Sequence, residues 1–264
     1  MTPHSTSPST AAATVAQKLP NTDSLTPAQF FESHGLSCDT TPYWLFNIPQ
    51  SQWTIECPSY LRDQSDKNIR TLSTLDADYR RQDWKEVQDI IRTNQIDRFQ
   101  RVPTDLRKYL EYTYHIREKY GSVMRFILKE RLGWADGENA VLKPRGAPLR
   151  VRRGEPLEDI RILYNDWPYG VDTDIIHLVV WTKFELPDDP ATGMLTAEAH
   201  QAIEQYVQRT FGSRMAAEDL VWFKNWKSLK SVQAVEHFHV MLHQPDMEFV
   251  KEITGGDVPL IDQV

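Results

Sequence analysis

One nine-residue stretch near the C-terminus constrains the fold more than any other part of the chain. Residues 235–243 read VEHFHVMLH, in which two sets of side chains alternate with a period of two. Successive side chains of a β-strand point to opposite faces of a sheet, so this period predicts a strand. One face carries the apolar side chains Phe238, Val240 and Leu242. The other face carries His237, His239, Met241 and His243.

Three imidazoles on one strand face offer chemistry that packing alone does not require. Histidine titrates near neutral pH, binds metal ions and attacks phosphorus or acyl centres. The alternative is a set of core histidines that are buried and held by hydrogen bonds, since a buried polar group needs a partner. The sequence marks this face as a candidate site and leaves both interpretations open.

The order of the other elements predicts an α+β fold. Strand patterns occur at residues 159–164 and 175–181, and a helix at 196–211 separates them from the C-terminal strands. Hairpins joined by a helix are typical of an antiparallel sheet with helices to one side. The strand at 175–181 contains His177, which we expect beside His237 and His239 on a neighbouring strand.

The N-terminal half is predicted to be helical. Residues 1–25, rich in Ser, Thr, Ala and Pro, are expected to be a disordered tail. We expect one α+β domain at residues 26–264, in which residues 26–135 are helical and residues 136–257 form the sheet with its helix.

Local signals predict individual parts of that half. Thr26 followed by proline is typical of a helix start. The polar residues 63–77 predict a loop. Apolar side chains that recur every three or four positions predict one long helix over residues 105–132, in which Gly121 marks a kink or a close helix contact.

Charge and composition narrow the class of protein. A net charge of −7 argues against a bulk nucleic-acid binder, which usually presents a basic surface. No apolar run approaches the ~20 residues that cross a bilayer, and the N-terminus lacks the apolar core of a secretion signal. The chain contains only two cysteines, Cys38 and Cys57, which suits a reducing compartment. We therefore expect a cytoplasmic protein with no membrane contact.

Several sequence blocks together resemble a fungal family called N-acetylglucosamine-induced protein. The blocks are NDWPYG at 165–170, HLVVWTKF at 177–184, WFKNW at 222–226, LKSV at 229–232 and VEHFHVML at 235–242. The resemblance extends from about Pro42 to Asp257. It implies a fungal cytoplasmic protein, but no particular reaction, because the family is largely a domain of unknown function.

The C-terminal half also resembles the histidine-triad (HIT-like) superfamily of nucleotidyl hydrolases and transferases. That superfamily has a strand beginning with Gly-His, then a helix, then a strand with Asn, then a strand with alternating histidines. In this chain His177, the helix at 196–211, Asn225 and His237-Phe238-His239 stand at those places. The resemblance implies a HIT-like antiparallel sheet and hydrolysis or transfer of a nucleotide or nucleotide-sugar phosphate.

The resemblance also implies roles for individual residues. His239, as the middle histidine, inherits the role of nucleophile, and His237 and His177 would support it. Asn225, Lys230 and Ser231 would bind the phosphate oxygens of a small-molecule ligand. The site would be roofed by aromatic side chains, namely Trp167, Tyr169 and Trp226. This chemistry requires no metal or other cofactor.

The chain departs from the superfamily pattern at the third histidine, which is Met241 here. Methionine lacks the donor that would serve a phosphate. Two alternatives therefore stay open beside the enzyme. The first is a non-hydrolytic small-molecule binding or regulatory protein of the fungal N-acetylglucosamine response, or a HIT-like fold recruited to another small-molecule reaction. The second is a metal site in which His177, His237 and His239 hold Zn²⁺ or Fe²⁺. The sequence does not predict an oligomeric state.

Overall fold

A four-stranded antiparallel sheet forms the centre of the molecule. The computed structural model describes residues 25–37, 39–134, 159–226 and 235–264. The strands lie in the order β1-β2-β4-β3. They are β1 (Ile160–Tyr164), β2 (Ile175–Thr182), β3 (Leu220–Phe223) and β4 (Glu236–His243). The period-two pattern of residues 235–243 thus does form a strand, and it pairs with β2 along its whole length.

The apolar face of the sheet packs against two helices of the C-terminal half. These are α6 (Ala197–Thr210) and α7 (Met247–Thr254). The sheet contributes Leu178, Val180, Phe238, Val240 and Leu242 to this core, and all five are fully buried. Burial of each such side chain stabilises the fold by about 1.5–3 kcal/mol. This core fixes which side chains of β2 and β4 lie on the opposite face of the sheet. A shift of the strand register by one residue would place the histidines in the apolar core.

Five α-helices come before the sheet in the part of the chain that the structure describes. They are α1 (Pro27–Glu32), α2 (Asp66–Leu72), α3 (Trp84–Arg92), α4 (Pro103–Tyr120) and α5 (Val123–Phe126), and a π-helical segment at Ile127–Arg131 follows α5 directly. Thr26 caps α1 by accepting a hydrogen bond from the Gln29 amide, as its sequence predicts. Among the described residues, no helix combines the length and the apolar character needed to span a bilayer.

Two of the local predictions for this half are wrong. The predicted loop at residues 63–77 contains α2, because Ser65 caps a helix start there. The predicted single helix over residues 105–132 is broken after Tyr120. Gly121 adopts a left-handed conformation with φ of 76°, which ends α4. Ser122 then caps α5, whose chain continues into the π-helical turn.

Helices cover both faces of the sheet, so the predicted placement of helices to one side is wrong. Val179 and Trp181 of β2 pack against α4, α5 and the π-helical segment, and Met241 packs against α3. The physical reason lies on the histidine face itself, which also carries these large apolar side chains and must exclude water from them. The histidines therefore lie between the sheet and the N-terminal helices.

A buried ion cluster fastens the N-terminal helices to the sheet. Arg131 donates two hydrogen bonds of 2.9 Å to Asp257 and one of 3.0 Å from Nε to Asp166. Asp166 also accepts from the Leu260 amide, and Asp257 from the Tyr164 amide. One guanidinium thereby joins the π-helical segment, the end of β1, the turn after it and the C-terminal segment.

Candidate functional site

Three imidazoles from the two central strands converge on one face of the sheet. The Nε2 atom of His177 lies 3.0 Å from Nδ1 of His239, and the rings of His237 and His239 meet edge to face at 5.7 Å. Each of the three residues is at most 5% exposed. The sequence-based prediction placed these residues on neighbouring strands, and β2 and β4 are adjacent.

Both ring nitrogens of His239 are engaged by neighbouring side chains. Asn225 Nδ2 lies 3.0 Å from His239 Nε2. Because the amide nitrogen can only donate, His239 Nε2 accepts, and the proton of the neutral ring sits on Nδ1. That proton is donated to His177 Nε2. The ring of Phe223 stacks on His239 at 4.9 Å, so the His239 ring is fixed in its plane as well.

His237 is held differently, and the difference determines its tautomer. Its Nδ1 lies 2.8 Å from the backbone carbonyl oxygen of Val235. A carbonyl only accepts, so Nδ1 carries the proton, and in the neutral ring Nε2 bears the lone pair. Trp181, the cross-strand partner of His237, packs against the imidazole at 4.5 Å. The Val235 carbonyl and the Trp181 side chain thus hold the ring of His237 in place.

A polar cavity of about 130 Å³ adjoins these rings. It is lined by Arg101, Tyr109, Asn165, Tyr169, Val179, Trp181, Asn225, His237 and His239. None of these lining residues, all within the described ranges, is acidic. The cavity holds about four times the ~30 Å³ that one water molecule occupies in the liquid. Its size suits one small polar group.

Arg101 is the charged member of the lining residues that sequence reasoning missed, which also include Tyr109 and Asn165. It lies between α3 and α4, where the sequence indicates only a break before Pro103. Its Nε donates to the Trp167 carbonyl at 2.9 Å, and its guanidinium lies 4.2 Å from the Tyr109 ring centroid. No motif marks this position, since the residue reaches the site only through the packing of α4 on the sheet.

The structure separates the other predicted site residues into three groups. Tyr169 lines the cavity, and its hydroxyl accepts a 3.3 Å hydrogen bond from Asn225. Trp167 packs beside α4 in the apolar core, and Trp226 lines a separate groove behind Phe223. Lys230 and Ser231 lie outside the described residues. Of the residues predicted to bind the phosphate oxygens, Asn225 is therefore the described one, and it lies in the cavity.

The geometry does not favour the metal alternative. A shared metal ion needs lone pairs of several ligands aimed at one point. Here His177 and His239 direct their nitrogens at each other, and His237 directs Nδ1 at a carbonyl. Within the described part of the chain, no three His, Cys, Asp or Glu side chains are grouped as a metal site.

Burial, with a smaller contribution from the nearby Arg101 charge, lowers the pKa of His177 to about 3. Between about pH 3 and 6.5, His177 is therefore neutral in the folded protein. In the unfolded chain, where the His177 pKa is about 6.5, the same imidazole binds a proton in this range. Folding stability that depends on neutral His177 is present above that pH and is lost as the pH falls from about 6.5 toward 3.

We expect His177→Gln to flatten this pH dependence. Wild-type unfolding free energy should fall by up to about 1.4 kcal/mol for each pH unit below 6.5 from this group, and the variant should lack that contribution. Urea denaturation at several pH values measures the slope. The exposed His115 on α4 provides a matched control, and His115→Gln should keep the wild-type slope. Equal slopes in wild type and His177→Gln would contradict the assignment.

Comparison with known proteins assigns the chain to a family. A family model described as protein of unknown function (DUF3605) matches residues 83–243, which include α3, α4, the whole sheet and every described histidine of the site. The match spans more than half of the chain, so the protein belongs to this family.

Two curated fungal proteins are similar to the chain. N-acetylglucosamine-induced protein 1 of Candida albicans is 29% identical over 187 residues, which is 66% of this chain and 72% of that protein. The uncharacterized protein YPL067C of Saccharomyces cerevisiae is 26% identical over 171 residues, covering 64% and 82% respectively. The resemblance to the N-acetylglucosamine-induced family is thereby confirmed. The crystal structure of HTC1 aligns with a TM-score of 0.45 and 22% identity, over 69% of this chain and 94% of that one.

Proposed function

We propose that the protein binds a nucleotide or nucleotide-sugar phosphate ester at the histidine cavity and hydrolyses or transfers it through a histidine nucleophile, as a HIT-like enzyme. One observation carries this proposal. The Nδ1–H of His237 is donated to the Val235 carbonyl, which puts the lone pair of the neutral ring on Nε2, and His237 lines the same cavity as Arg101. A nucleophile and a positively charged group that can bind an anion thus share one site.

The lining of the cavity favours an anion. Arg101 supplies a guanidinium whose hydrogen bond goes to a backbone carbonyl rather than to a carboxylate. Asn165, Asn225 and Tyr169 add neutral polar groups. Charge-assisted hydrogen bonds from arginine to phosphate are among the stronger polar contacts in proteins. A phosphoryl group fits the space, whereas a whole nucleoside does not.

The chain order of the site elements also supports a HIT-like arrangement. A strand that carries His177 is followed by α6, by β3 with Asn225 just beyond it, and by β4 with the paired histidines. In the sheet, β4 lies between β2 and β3, so His239 receives contacts from both sides. The same succession of elements is what the superfamily resemblance implies.

We assign the attack to His237 from its tautomer and its place in the cavity wall. Its Nδ1–H is donated to the Val235 carbonyl, which puts the lone pair of the neutral ring on Nε2. In the proposed step this lone pair attacks the phosphorus and forms a P–N bond. The P–O bond to the leaving group breaks, and the departing oxygen takes the electron pair and then a proton from water. Water hydrolyses the P–N bond, or an acceptor alcohol replaces water in a transfer.

One observation favours binding without turnover as the second candidate. Met241, at the third position of the triad, is fully buried against Val87 and Ile90 of α3 and does not reach the cavity. A donor that would stabilise charge on the transferred phosphate is therefore absent at this position. If the wild-type protein binds a nucleotide phosphate but does not turn it over, this result would support a binding protein rather than an enzyme.

We expect Arg101→Met to weaken phosphate binding by about 10- to 100-fold. Loss of a hydrogen bond to a charged group costs about 1.5–3 kcal/mol, which corresponds to that range. Isothermal titration with inorganic phosphate and with adenosine 5′-monophosphate measures the change. The phosphate affinity of Arg101→Lys should lie between those of wild type and Arg101→Met, because lysine keeps the charge but lacks the planar guanidinium.

The control for this experiment is an arginine remote from the cavity. Arg70 is exposed near the end of α2, and Arg70→Met should leave phosphate affinity unchanged. Thermal melting of each variant monitors the fold, since Arg101 also packs on Tyr109. If Arg101→Met melts like wild type and binds phosphate equally well, the cavity is not an anion site and the proposal fails.

A further inference from the structure

A second and larger concavity lies directly behind the histidine site. It has a volume of about 370 Å³ and is bordered by the end of α3, the loop before α6, and β3 with the residues that follow it. Its apolar lining consists of Ile91, Met194, Leu195, Trp222, Phe223 and Trp226. We call this the Trp226 groove. Nothing in the proposed chemistry at His237 uses it.

Two residues connect the Trp226 groove to the histidine cavity. Phe223 lines the groove, and its ring stacks on His239 at 4.9 Å with an interplanar angle of 12°. Asn225 lines both the groove and the cavity. The two spaces are therefore separated by the thickness of one side chain.

The amide of Asn225 has an unused hydrogen-bond acceptor between the groove and the cavity. Asn225 is 7% exposed, and its Oδ1 has no hydrogen-bond partner within the described part of the protein. Its Nδ2 already donates hydrogen bonds to His239 Nε2 and to the Tyr169 hydroxyl. A buried amide oxygen without a partner is unfavourable, so a ligand with a donor here would remove that penalty.

Two polar side chains of the groove, Lys224 and Asn94, are already held by hydrogen bonds. Lys224 donates to the Leu186 carbonyl and to Asp188 at 2.8 Å. Asn94 donates to the sulfur of Met194 at 3.3 Å and accepts from the indole of Trp226 at 3.1 Å. The groove therefore presents mainly aromatic and aliphatic surfaces, and a polyhydroxylated group would find few partners there.

We infer that the Trp226 groove binds a planar aromatic group attached to the phosphate that occupies the histidine cavity. The inference rests on the proposed function, because it assigns the rest of the same ligand. The histidine cavity accepts a phosphoryl group, the ligand passes Asn225, and the aromatic ring lies among Ile91, Met194 and Trp226. Stacking of a base on aromatic side chains contributes enough to strengthen binding by about tenfold or more.

Three probes separate the parts of this ligand. They are inorganic phosphate, ribose 5-phosphate and adenosine 5′-monophosphate, each titrated calorimetrically into the full chain. We expect adenosine 5′-monophosphate to bind at least about tenfold more tightly than ribose 5-phosphate. Met194→Trp fills the groove, so it should abolish this advantage and leave inorganic phosphate affinity unchanged.

Met247 provides the matched control, since Met194 is 47% exposed and Met247 is 51% exposed on α7. Met247→Trp should retain the full preference for the aromatic ligand. If wild-type protein binds phosphate but does not distinguish adenosine 5′-monophosphate from ribose 5-phosphate, the inference is overturned and the proposed function stands. Retention of the preference in Met194→Trp also overturns it. If none of the probes binds, the phosphate site itself is refuted, and the inference falls with it.

Discussion

Replacement of His237 by glutamine is expected to lower the turnover of a nucleotide phosphate ester by at least about 10³-fold. Glutamine fills a similar volume but has no lone-pair nitrogen to attack phosphorus, and loss of a nucleophile removes the covalent route altogether. Affinity for inorganic phosphate should change by less than about tenfold, because Arg101 and Asn225 remain. Steady-state kinetics with nucleoside phosphate esters and a parallel titration with phosphate measure the two effects separately.

His239→Gln is the decisive comparison. His239 exchanges hydrogen bonds with His177 and Asn225, so its replacement should disturb the cavity and reduce turnover by less than the loss of His237. Rapid quenching followed by peptide mass spectrometry should place the covalent phosphate adduct on His237. The exposed His115 should be replaceable without effect. An adduct on His239, with His237→Gln still active, would support the nucleophile implied by the superfamily motif and refute our assignment.

The period-two pattern of residues 235–243 predicts which side chains share a face, and that part of the site follows from sequence alone. The pattern does not predict the hydrogen bonds of each ring. His237 and His239 occupy successive positions on one strand face, yet His237 donates to a carbonyl two residues earlier and His239 forms hydrogen bonds with two side chains. Tautomers depend on atoms brought in by tertiary packing, and the sequence does not encode their distances.

In the N-terminal half, too, the sequence predicts local features but not the packing that tertiary contacts determine. The helix cap at Thr26 is a local signal and is predicted from sequence, whereas the cap at Ser65 lies in a segment predicted to be a loop. The break at Gly121 is also local, but glycine inside a periodic pattern is compatible with either a kink or an end. The packing of α4 and α5 over the histidine face depends on contacts with Val179 and Trp181, which are distant in sequence. Arg101 enters the site through this packing.

Loss of the Arg131 side chain should cause the largest stability change that we predict. Arg131→Met leaves Asp166 and Asp257 facing each other without a cation, and the side chains of all three residues are at most 14% exposed. Removal of one partner from a buried ion cluster typically costs about 3–5 kcal/mol. Chemical denaturation monitored by tryptophan fluorescence measures this loss. Arg70→Met, at an exposed site on α2, should stay within about 0.5 kcal/mol of wild type.

The pH dependence of that loss tests its electrostatic origin. Burial raises the pKa of Asp166 to about 6 even though Arg131 opposes the shift. Since the folded carboxyl binds a proton more tightly than the unfolded one, its burial penalty is present in full above about pH 6 and is relieved as the pH falls toward 4. Without Arg131 this pKa should rise further, so the destabilisation by Arg131→Met should shrink between pH 7 and 5. Arg131→Met, Asp166→Asn should recover part of the lost stability at neutral pH. If the loss is the same at both pH values and the second substitution restores nothing, Arg131 acts through packing of its alkyl chain rather than through its charge.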